Sequence, residues 1–222
     1  MQISEKSGLP RSTVHRIVRS LLTANFIVAD LQNGGLRLGP EFARLAAVSR
    51  VQLVPRVRPF LQKLSRHVDE GASLAVLEGV SVRFLDQAIH GHGIRAVSLV
   101  GSTLPAHSTA NGKALLAALP PRTVEATMPV KLARLTSKTL VTRRALMAEL
   151  ESIRATGTAY DLEENETGVC AVGRVVNDAV GNLAAITIAV PATRFYGHEA
   201  KLAEALAAIV VDINEALGHS AD

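Results

Sequence analysis

Residues 8–22 read GLPRSTVHRIVRSLL, and this stretch constrains the fold more than any other part of the chain. Gly8 can adopt the left-handed conformation that ends a helix, and Pro10 suits the start of the next one because its missing N–H would be unpaired there. Apolar residues then recur at helical spacing and form a stripe of Val14, Ile17, Val18, Leu21 and Leu22. The pattern predicts a helix, a tight turn and a second helix with its stripe buried.

The other face of the second helix is polar and basic. It carries Arg11, Ser12, Thr13, His15, Arg16 and Arg19. A helix of this composition can enter the major groove of DNA, where arginine binds guanine through two contacts and serine or threonine donates or accepts a hydrogen bond. We therefore expect this face to contact DNA. The alternative is a structural helix pair whose basic face is only solvated.

A β-hairpin is predicted immediately downstream, over residues 26–39 (FIVADLQNGGLRLG). The segment begins with β-rich residues, residues 33–35 (NGG) are typical of a turn, and apolar residues alternate around Arg37. Two helices followed by a hairpin make a winged helix, and the wing would place Arg37 near the DNA phosphates.

The distribution of charge agrees with a polyanionic partner for this part alone. Residues 1–66 hold eleven Lys and Arg against three acidic residues, whereas the remainder holds thirteen against seventeen. Because the basic excess is confined to the N-terminal part, we expect only that part to bind nucleic acid.

The rest of the chain mixes helices and strands. Residues 40–51 are Ala-rich and predict a connecting helix, and a second amphipathic segment begins after Pro55. Six β-rich runs follow at residues 72–79, 80–89, 94–101, 157–164, 168–177 and 182–191. Helices are predicted at residues 109–118, 142–156 and 196–217, and the short connections favour antiparallel pairing. The expected fold class is α+β after an all-α start.

Composition and motifs exclude several classes of protein. The single cysteine rules out a disulfide framework and a multi-cysteine zinc site. Apolar runs are too short to cross a bilayer, and there is no apolar signal stretch, so we expect a cytoplasmic protein without membrane contact. A Walker loop and a dinucleotide fingerprint are both missing, and no cofactor is expected.

The most chemically suggestive stretch of the second part is LPAHSTANGKALLAAL, residues 104–119. Ser108 or Thr109 can cap the helix, and the small residues Ala110, Asn111 and Gly112 would let a ligand approach its start. A helix N-terminus presents free N–H groups and partial positive charge, which suit a carboxylate. The alternative from the residues alone is an ordinary capped helix.

An enzyme is not expected. His107, Ser108 and Asp161 contain the groups of a hydrolase triad, but adjacent residues cannot face each other for proton transfer, and the nucleophile-elbow pattern is absent. His107 with Cys170 or Asp161 does not show metal-ligand spacing, so no metal site is expected.

Four segments carry a resemblance to a known family: SGLPRSTVHRIVRSLL, LRLGP, PAHSTANGKALLA and GVCAVG. On these the chain resembles the IclR family of bacterial transcriptional regulators over nearly its whole length. The resemblance implies a winged helix-turn-helix over residues 1–39, a linker helix over 40–53 and a GAF-like effector-binding domain over 54–222. It also implies operator DNA as partner and assembly as a dimer or a dimer of dimers.

The resemblance further implies another helix before the one that precedes the turn, yet only QISEKS separates Met1 from Gly8. We therefore expect either that this first helix is missing or that the start of the sequence is unusual. Without that helix the apolar stripe of the second helix loses a partner, so we expect weakened or absent operator binding. A ligand-sensing module that no longer binds DNA is therefore the alternative function, ahead of a small-molecule enzyme.

The same resemblance implies an effector pocket for a small organic acid. The backbone at Ala110 and Asn111 would hold the carboxylate, Asp161 would be an acidic pocket residue, and Thr187 would supply a hydroxyl. Ala189 stands where some relatives carry a second hydroxyl. Cys170 comes two residues after Gly168 rather than three, which puts Ala171 in the family's cysteine register; whether Cys170 faces the pocket or the core stays open.

Overall fold

The computed structural model describes residues 2–30, 35–91, 96, 99–178, 181 and 183–218. The chain divides into two units, Met1–Leu53 and Val54–Asp222. Within the described residues, no helix is both long and apolar enough to cross a membrane.

The first unit contains the predicted helix pair and hairpin. Helix α1 (Gln2–Ser7) ends at Gly8, which has φ of +68° and donates its N–H to the Ser4 carbonyl at 3.1 Å. Helix α2 is Arg11–Thr23, and strands β1 (Ile27–Asp30) and β2 (Gly35–Leu38) pair antiparallel. The helix-turn-helix and the hairpin are confirmed. Of the predicted turn residues, Asn33 and Gly34 lie outside the described residues.

The apolar stripe of α2 is not buried as we expected. Among the described residues, Val14, Val18, Leu21 and Leu22 are half-buried, and Ile17 is 43% exposed. The six residues of α1 span only about 9 Å, which is too short to cover a thirteen-residue helix. Phe26 packs edge-to-face on Phe42 at 5.4 Å, which joins β1 to the helix that follows the hairpin.

That next helix, α3, runs from Pro40 to Val68 with Pro55 and Pro59 inside it. It is longer than the linker helix predicted for residues 40–53, and Pro55 does not begin a separate helix. An interior proline costs a helix about 3 kcal/mol. Val57, Leu61 and Leu64 are almost completely buried in the second unit, and each such side chain contributes about 1.5–3 kcal/mol. Tertiary burial therefore outweighs the local preference to break the helix.

The second unit is built on one antiparallel sheet. Its strands are β3 (Gly71–Glu78), β4 (Ser81–Ala88), β5 (Thr103–Pro105), β6 (Ala159–Leu162), β7 (Val169–Asn177) and β8 (Leu183–Pro191). They lie in the order β5-β4-β3-β8-β7-β6. This confirms an α+β domain with six antiparallel strands. The strand predicted at 94–101 falls partly outside the described residues; Ala96 and residues 99–101 are not in a strand, and the edge is β5 instead.

The helices of this unit follow local capping signals. They are α4 (Ala110–Ala117), α5 (Pro121–Thr127), α6 (Arg143–Thr156), α7 (Ala192–Phe195) and α8 (Glu199–Ala216), with a 3₁₀ turn at Ala106–Ser108. Thr142 caps α6 by accepting the Ala145 N–H, and Gly157 ends it with φ of +70°. Consecutive residues 184–188 of β8 are all buried, so helices cover both faces of the sheet.

Candidate functional site

The basic face of α2 is open to solvent in the first unit. Arg11, Ser12, His15, Arg16 and Arg19 are exposed, and Thr13 is half-buried. Four of them, Ser12, His15, Arg16 and Arg19, border one open groove along the helix. Arg37 is exposed on β2, opposite Val28 in the hairpin. The structure therefore brings four of the six predicted residues of α2 together at one groove, while Arg11 and Thr13 do not border it.

In the second unit, the start of α4 has the geometry of an anion site. Thr109 is the N-cap, and its hydroxyl accepts the Gly112 N–H at 3.3 Å. The Lys113 N–H donates to the Thr109 carbonyl at 2.9 Å, which is the first intrahelical bond. The amides of Ala110 and Asn111 precede that bond, so the helix provides no acceptor for them. They are the donors available to a ligand.

Two glycines let the start of α4 lie directly against its surroundings. A Cβ on Gly173 of β7 would lie 2.9 Å from the Ala110 carbonyl carbon and 3.1 Å from the Asn111 nitrogen. A Cβ on Gly112 would lie 2.2 Å from the Ala106 oxygen. Gly112 therefore serves packing against the 3₁₀ turn, not the approach of a ligand as we expected. The role of Gly173 was not predicted from the sequence.

The strand register defines the floor beneath the helix. Asp161 of β6 is opposite Ala171 of β7, which is opposite Ala189 of β8. Two residues further along, Gly173 is opposite Thr187 of β8, and Thr187 is opposite Ser73 of β3. Because side chains alternate between the faces of a strand, both rows point to the face on which α4 begins.

A cavity of about 260 Å³ lies between this floor and the start of α4. Five of the six predicted pocket residues border it: Ala110, Asn111, Asp161, Thr187 and Ala189. The prediction missed several others, including Ser73, Phe84 and Asn165. Apolar walls with a few convergent polar groups are typical of small-molecule sites.

Cys170 is the predicted residue that does not border the cavity. Its neighbour Ala171 does, and Cys170 is completely buried. Successive side chains of β7 point to opposite faces of the sheet, so both residues cannot face the cavity. Of the two residues between which the sequence left the choice open, Ala171 borders the cavity and Cys170 does not.

Thr187, in the cavity floor, has a buried hydroxyl without a hydrogen-bond partner among the described residues. The residue is 4% exposed, and the atom concerned is its Oγ1. A buried hydroxyl without a partner costs about 1–3 kcal/mol, so such a group calls for an explanation. A ligand in the cavity would supply the missing partner.

Asp161 is the acidic group of the cavity. It is 4% exposed, and its Oδ1 accepts backbone N–H groups of Glu164 at 2.7 Å and Asn165 at 3.3 Å. Burial, and to a smaller extent the nearby charge of Glu164, raise the pKa of Asp161 from an ordinary value of 3.8 to about 7. The two backbone hydrogen bonds and the charge of Lys113 act in the opposite direction.

A buried ion cluster supports the segment after Asp161. Lys113 of α4 is 0% exposed, and its Nζ bonds both Glu164 and Glu149 of α6. The Thr139 hydroxyl donates to the Glu164 carbonyl at 2.6 Å, and burial raises the pKa of Glu164. The prediction missed this cluster, for which the available signal was a lysine inside the apolar run of α4.

The hydrolase triad is not assembled. The His107 ring contacts the Ala133 carbonyl at 2.9 Å, and the Ser108 hydroxyl bonds Pro105 and Asn165, both at 3.3 Å. Among the residues that the structure describes, no cluster of three or more His, Cys, Asp or Glu could hold a metal ion.

Known proteins are similar to this chain over nearly its whole length. Residues 45–215 match the C-terminal domain of bacterial IclR transcriptional regulators, and residues 1–31 match the IclR helix-turn-helix domain. The HTH-type transcriptional regulator Rv1719 of Mycobacterium tuberculosis is 44% identical over 213 residues, which cover 96% of this chain and 82% of that protein. TtgV of Pseudomonas putida, also an HTH-type transcriptional regulator, is 35% identical over 218 residues, covering 98% and 83%.

One solved structure is of particular interest. An IclR homolog from Microbacterium hydrocarbonoxydans, complexed with 4-hydroxybenzoate, has a TM-score of 0.69 and 25% sequence identity. The match covers 98% of this chain and 90% of that chain. Rv1719 and TtgV are named as regulators rather than as enzymes. On this evidence the chain belongs to the IclR family of bacterial transcriptional regulators, which bind DNA through a helix-turn-helix.

Proposed function

We propose that this regulator binds a small organic acid in the cavity below α4 and that the bound acid controls its affinity for operator DNA. The observation behind the proposal is that three kinds of polar group border the same cavity. These are the free amides at Ala110 and Asn111, the unpartnered Thr187 hydroxyl and the buried Asp161 carboxyl. The relative complexed with 4-hydroxybenzoate supports an aromatic or aliphatic carboxylate as the ligand class.

Each group has a distinct part in binding. The amides of Ala110 and Asn111 and the partial positive charge of the helix start would hold the carboxylate. The Thr187 hydroxyl would form a hydrogen bond with a ligand oxygen, which removes the free-energy cost of leaving this buried hydroxyl without a partner. Phe84 and Leu104 form apolar walls, and Ala189 adds no hydroxyl, so the body of the ligand is apolar.

A thermal-shift screen of carboxylates, with 4-hydroxybenzoate among them, tests this site. We expect binders to raise the melting temperature of the native chain by mass action. Thr187→Val should weaken their binding roughly two- to tenfold, the worth of about one hydrogen bond. Cys170→Ala is the matched control, because Cys170 neighbours the floor residues but faces away, and it should leave affinity unchanged. Equal affinity of the native chain and Thr187→Val would contradict the assignment.

In the first unit, we propose that the exposed face of α2 contacts DNA through Arg11, Ser12, Thr13, His15, Arg16 and Arg19, with Arg37 on the phosphates. What supports this is their accessibility on one helix face and, among the described residues, the lack of ion pairs that would occupy Arg16 and Arg19. Two-fold assembly, as a dimer or a dimer of dimers, would place two such helices on successive half-sites.

Fluorescence anisotropy with a DNA fragment from beside the protein's own gene tests this part. Arg16→Ala should weaken binding by about 1–3 kcal/mol if it reads a base, or lower the salt slope by about one if it contacts a phosphate. Arg122→Ala, which removes an exposed arginine of α5, is the control and should change neither. If the native chain binds carboxylates but does not bind DNA even at low salt, the result would favour a ligand sensor that does not bind DNA.

A further inference from the structure

The buried carboxyl of Asp161 lies beside the proposed carboxylate site, so an ionised Asp161 would repel the ligand. The following inference starts from this repulsion and rests on the proposed function. Asp161 and Gly173 are diagonal neighbours across β6 and β7, about 7–8 Å apart at that spacing. The Asn111 nitrogen lies directly over Gly173. A carboxylate held at the start of α4 would therefore be within one small ligand's length of the Asp161 carboxyl.

Charged groups around Asp161 offer it little compensation. The segment after β6 contributes Glu164 and, at the cavity wall, Glu166. Helix α4 contributes Lys113, whose Nζ is shared between Glu164 and Glu149 of α6. The neighbouring strand β7 contributes the thiol of Cys170, and the described residues that β8 and β3 direct into the cavity are neutral. Lys113 is therefore already committed to two other carboxylates.

The hydrogen bonds of Asp161 do not require it to be charged. Both backbone donors bond the same oxygen, Oδ1. A proton on Oδ2 would leave both bonds in place and would turn Asp161 into a donor toward the cavity. With burial as the largest cause, the pKa of Asp161 is about 7, so its two protonation states are close in free energy near neutral pH in the ligand-free cavity.

Two carboxylates that share a buried site cannot both stay ionised without a large cost. We infer that the cavity takes up a singly charged carboxylate together with one proton from solvent, and that this proton resides on Asp161. The protonated Asp161 then donates a hydrogen bond to an acceptor oxygen of the ligand. A dicarboxylate whose second charge faces Asp161 is rejected, because the site takes up one proton only.

Isothermal titration calorimetry of the full chain with two matched probe pairs tests the inference. The pairs are benzoate with terephthalate and propionate with succinate, each a monoanion with its dianion. For a bound monoanion, affinity should be level below about pH 6.5 and fall toward about tenfold per pH unit above about pH 7. Titrations at pH 8 in buffers of different ionisation enthalpy should show uptake of close to one proton. The dianions should bind at least about tenfold more weakly than their monoanions.

Asp161→Asn mimics the protonated residue, because its amide oxygen still accepts both backbone bonds. It should bind the monoanions at pH 8.5 about as tightly as the native chain does at pH 6, with no pH dependence. Glu166→Gln is the matched control: it removes the other carboxylate that borders the cavity, and it should retain the native pH slope whatever its effect on affinity at pH 6.

The outcomes separate this inference from the proposed function. Monoanion binding with a flat pH profile or without proton uptake would overturn the inference and leave the effector site standing. The same holds if Glu166→Gln, rather than Asp161→Asn, abolishes the slope. If none of the four probes binds the native chain at pH 6, both the effector site and this inference fail. The buffer comparison on the native chain decides the matter even if Asp161→Asn does not fold.

Discussion

Replacing Asp161 by asparagine should stabilise the ligand-free protein, and increasingly so as pH rises. Burial raises the pKa of Asp161 to about 7, far above its ordinary 3.8. Between these two values the folded chain retains a proton on Asp161 that the unfolded chain has released. The folded state therefore binds more protons, and the free energy of unfolding falls as pH rises through this window.

The magnitude follows from the width of the window. For each pH unit within this window, the free energy of unfolding of the native chain falls by about 1.4 kcal/mol, because the folded state binds one proton more than the unfolded state. Asparagine has no proton to lose, so the gap between Asp161→Asn and the native chain should widen by about 2–3 kcal/mol between pH 5 and pH 7. Above about pH 8 both states of the native chain are ionised at Asp161, and the gap should stay constant.

Urea denaturation at pH 5, 6, 7, 8 and 9, followed by circular dichroism, measures this gap directly. Thr187→Val is the control: it alters the same cavity but removes no ionisable group, so its difference from the native chain should not change with pH. A gap for Asp161→Asn that is constant from pH 5 to pH 8, or that narrows, would refute the claim that burial of this carboxyl opposes its ionisation.

Three further substitutions test the supports of the site. Lys113→Met should lower the free energy of unfolding at pH 7 by about 3–5 kcal/mol, because it leaves the buried Glu164 and the half-buried Glu149 without their cation. Adding Glu164→Gln should recover part of this loss, measured by urea denaturation. Gly173→Ala should lower the free energy of unfolding by about 1–3 kcal/mol and weaken carboxylate binding, because its Cβ would meet the start of α4. The control is Gly35→Ala, which has no described atom within 4 Å of the added Cβ and should change the free energy of unfolding by less than about 0.5 kcal/mol. Gly8→Ala should lower the free energy of unfolding by about 1 kcal/mol, measured by thermal denaturation, because φ of +68° is strained for alanine.

Local elements were largely predictable because their causes are local. The stop at Gly8 and the cap at Thr109 act over a few residues. The alternation and flanking turns of β7 and β8 likewise identify strands without knowledge of their partners. The resemblance to a family then predicted which residues of these elements would border one cavity, and five of them do.

The failures share a different cause. The continuity of α3 through Pro55 and the burial of Lys113 depend on contacts between distant segments. The same holds for the choice between Ala171 and Cys170 at the cavity, which the sequence left open. Periodicity identified the stripe of α2, but only the surrounding elements decide how much of that stripe is covered.

By itself, the sequence determined the two kinds of architecture, the basic face of α2 and the capped start of α4, because propensity, periodicity and capping act within a few residues. The tertiary structure alone decided that Gly173 admits the start of α4, that Thr187 is left without a partner and that Asp161 is held in a site where ionisation is unfavourable. The physical reason is strand register: pairing between β6, β7 and β8 brings together groups far apart in the chain, and desolvation exists only after they have met.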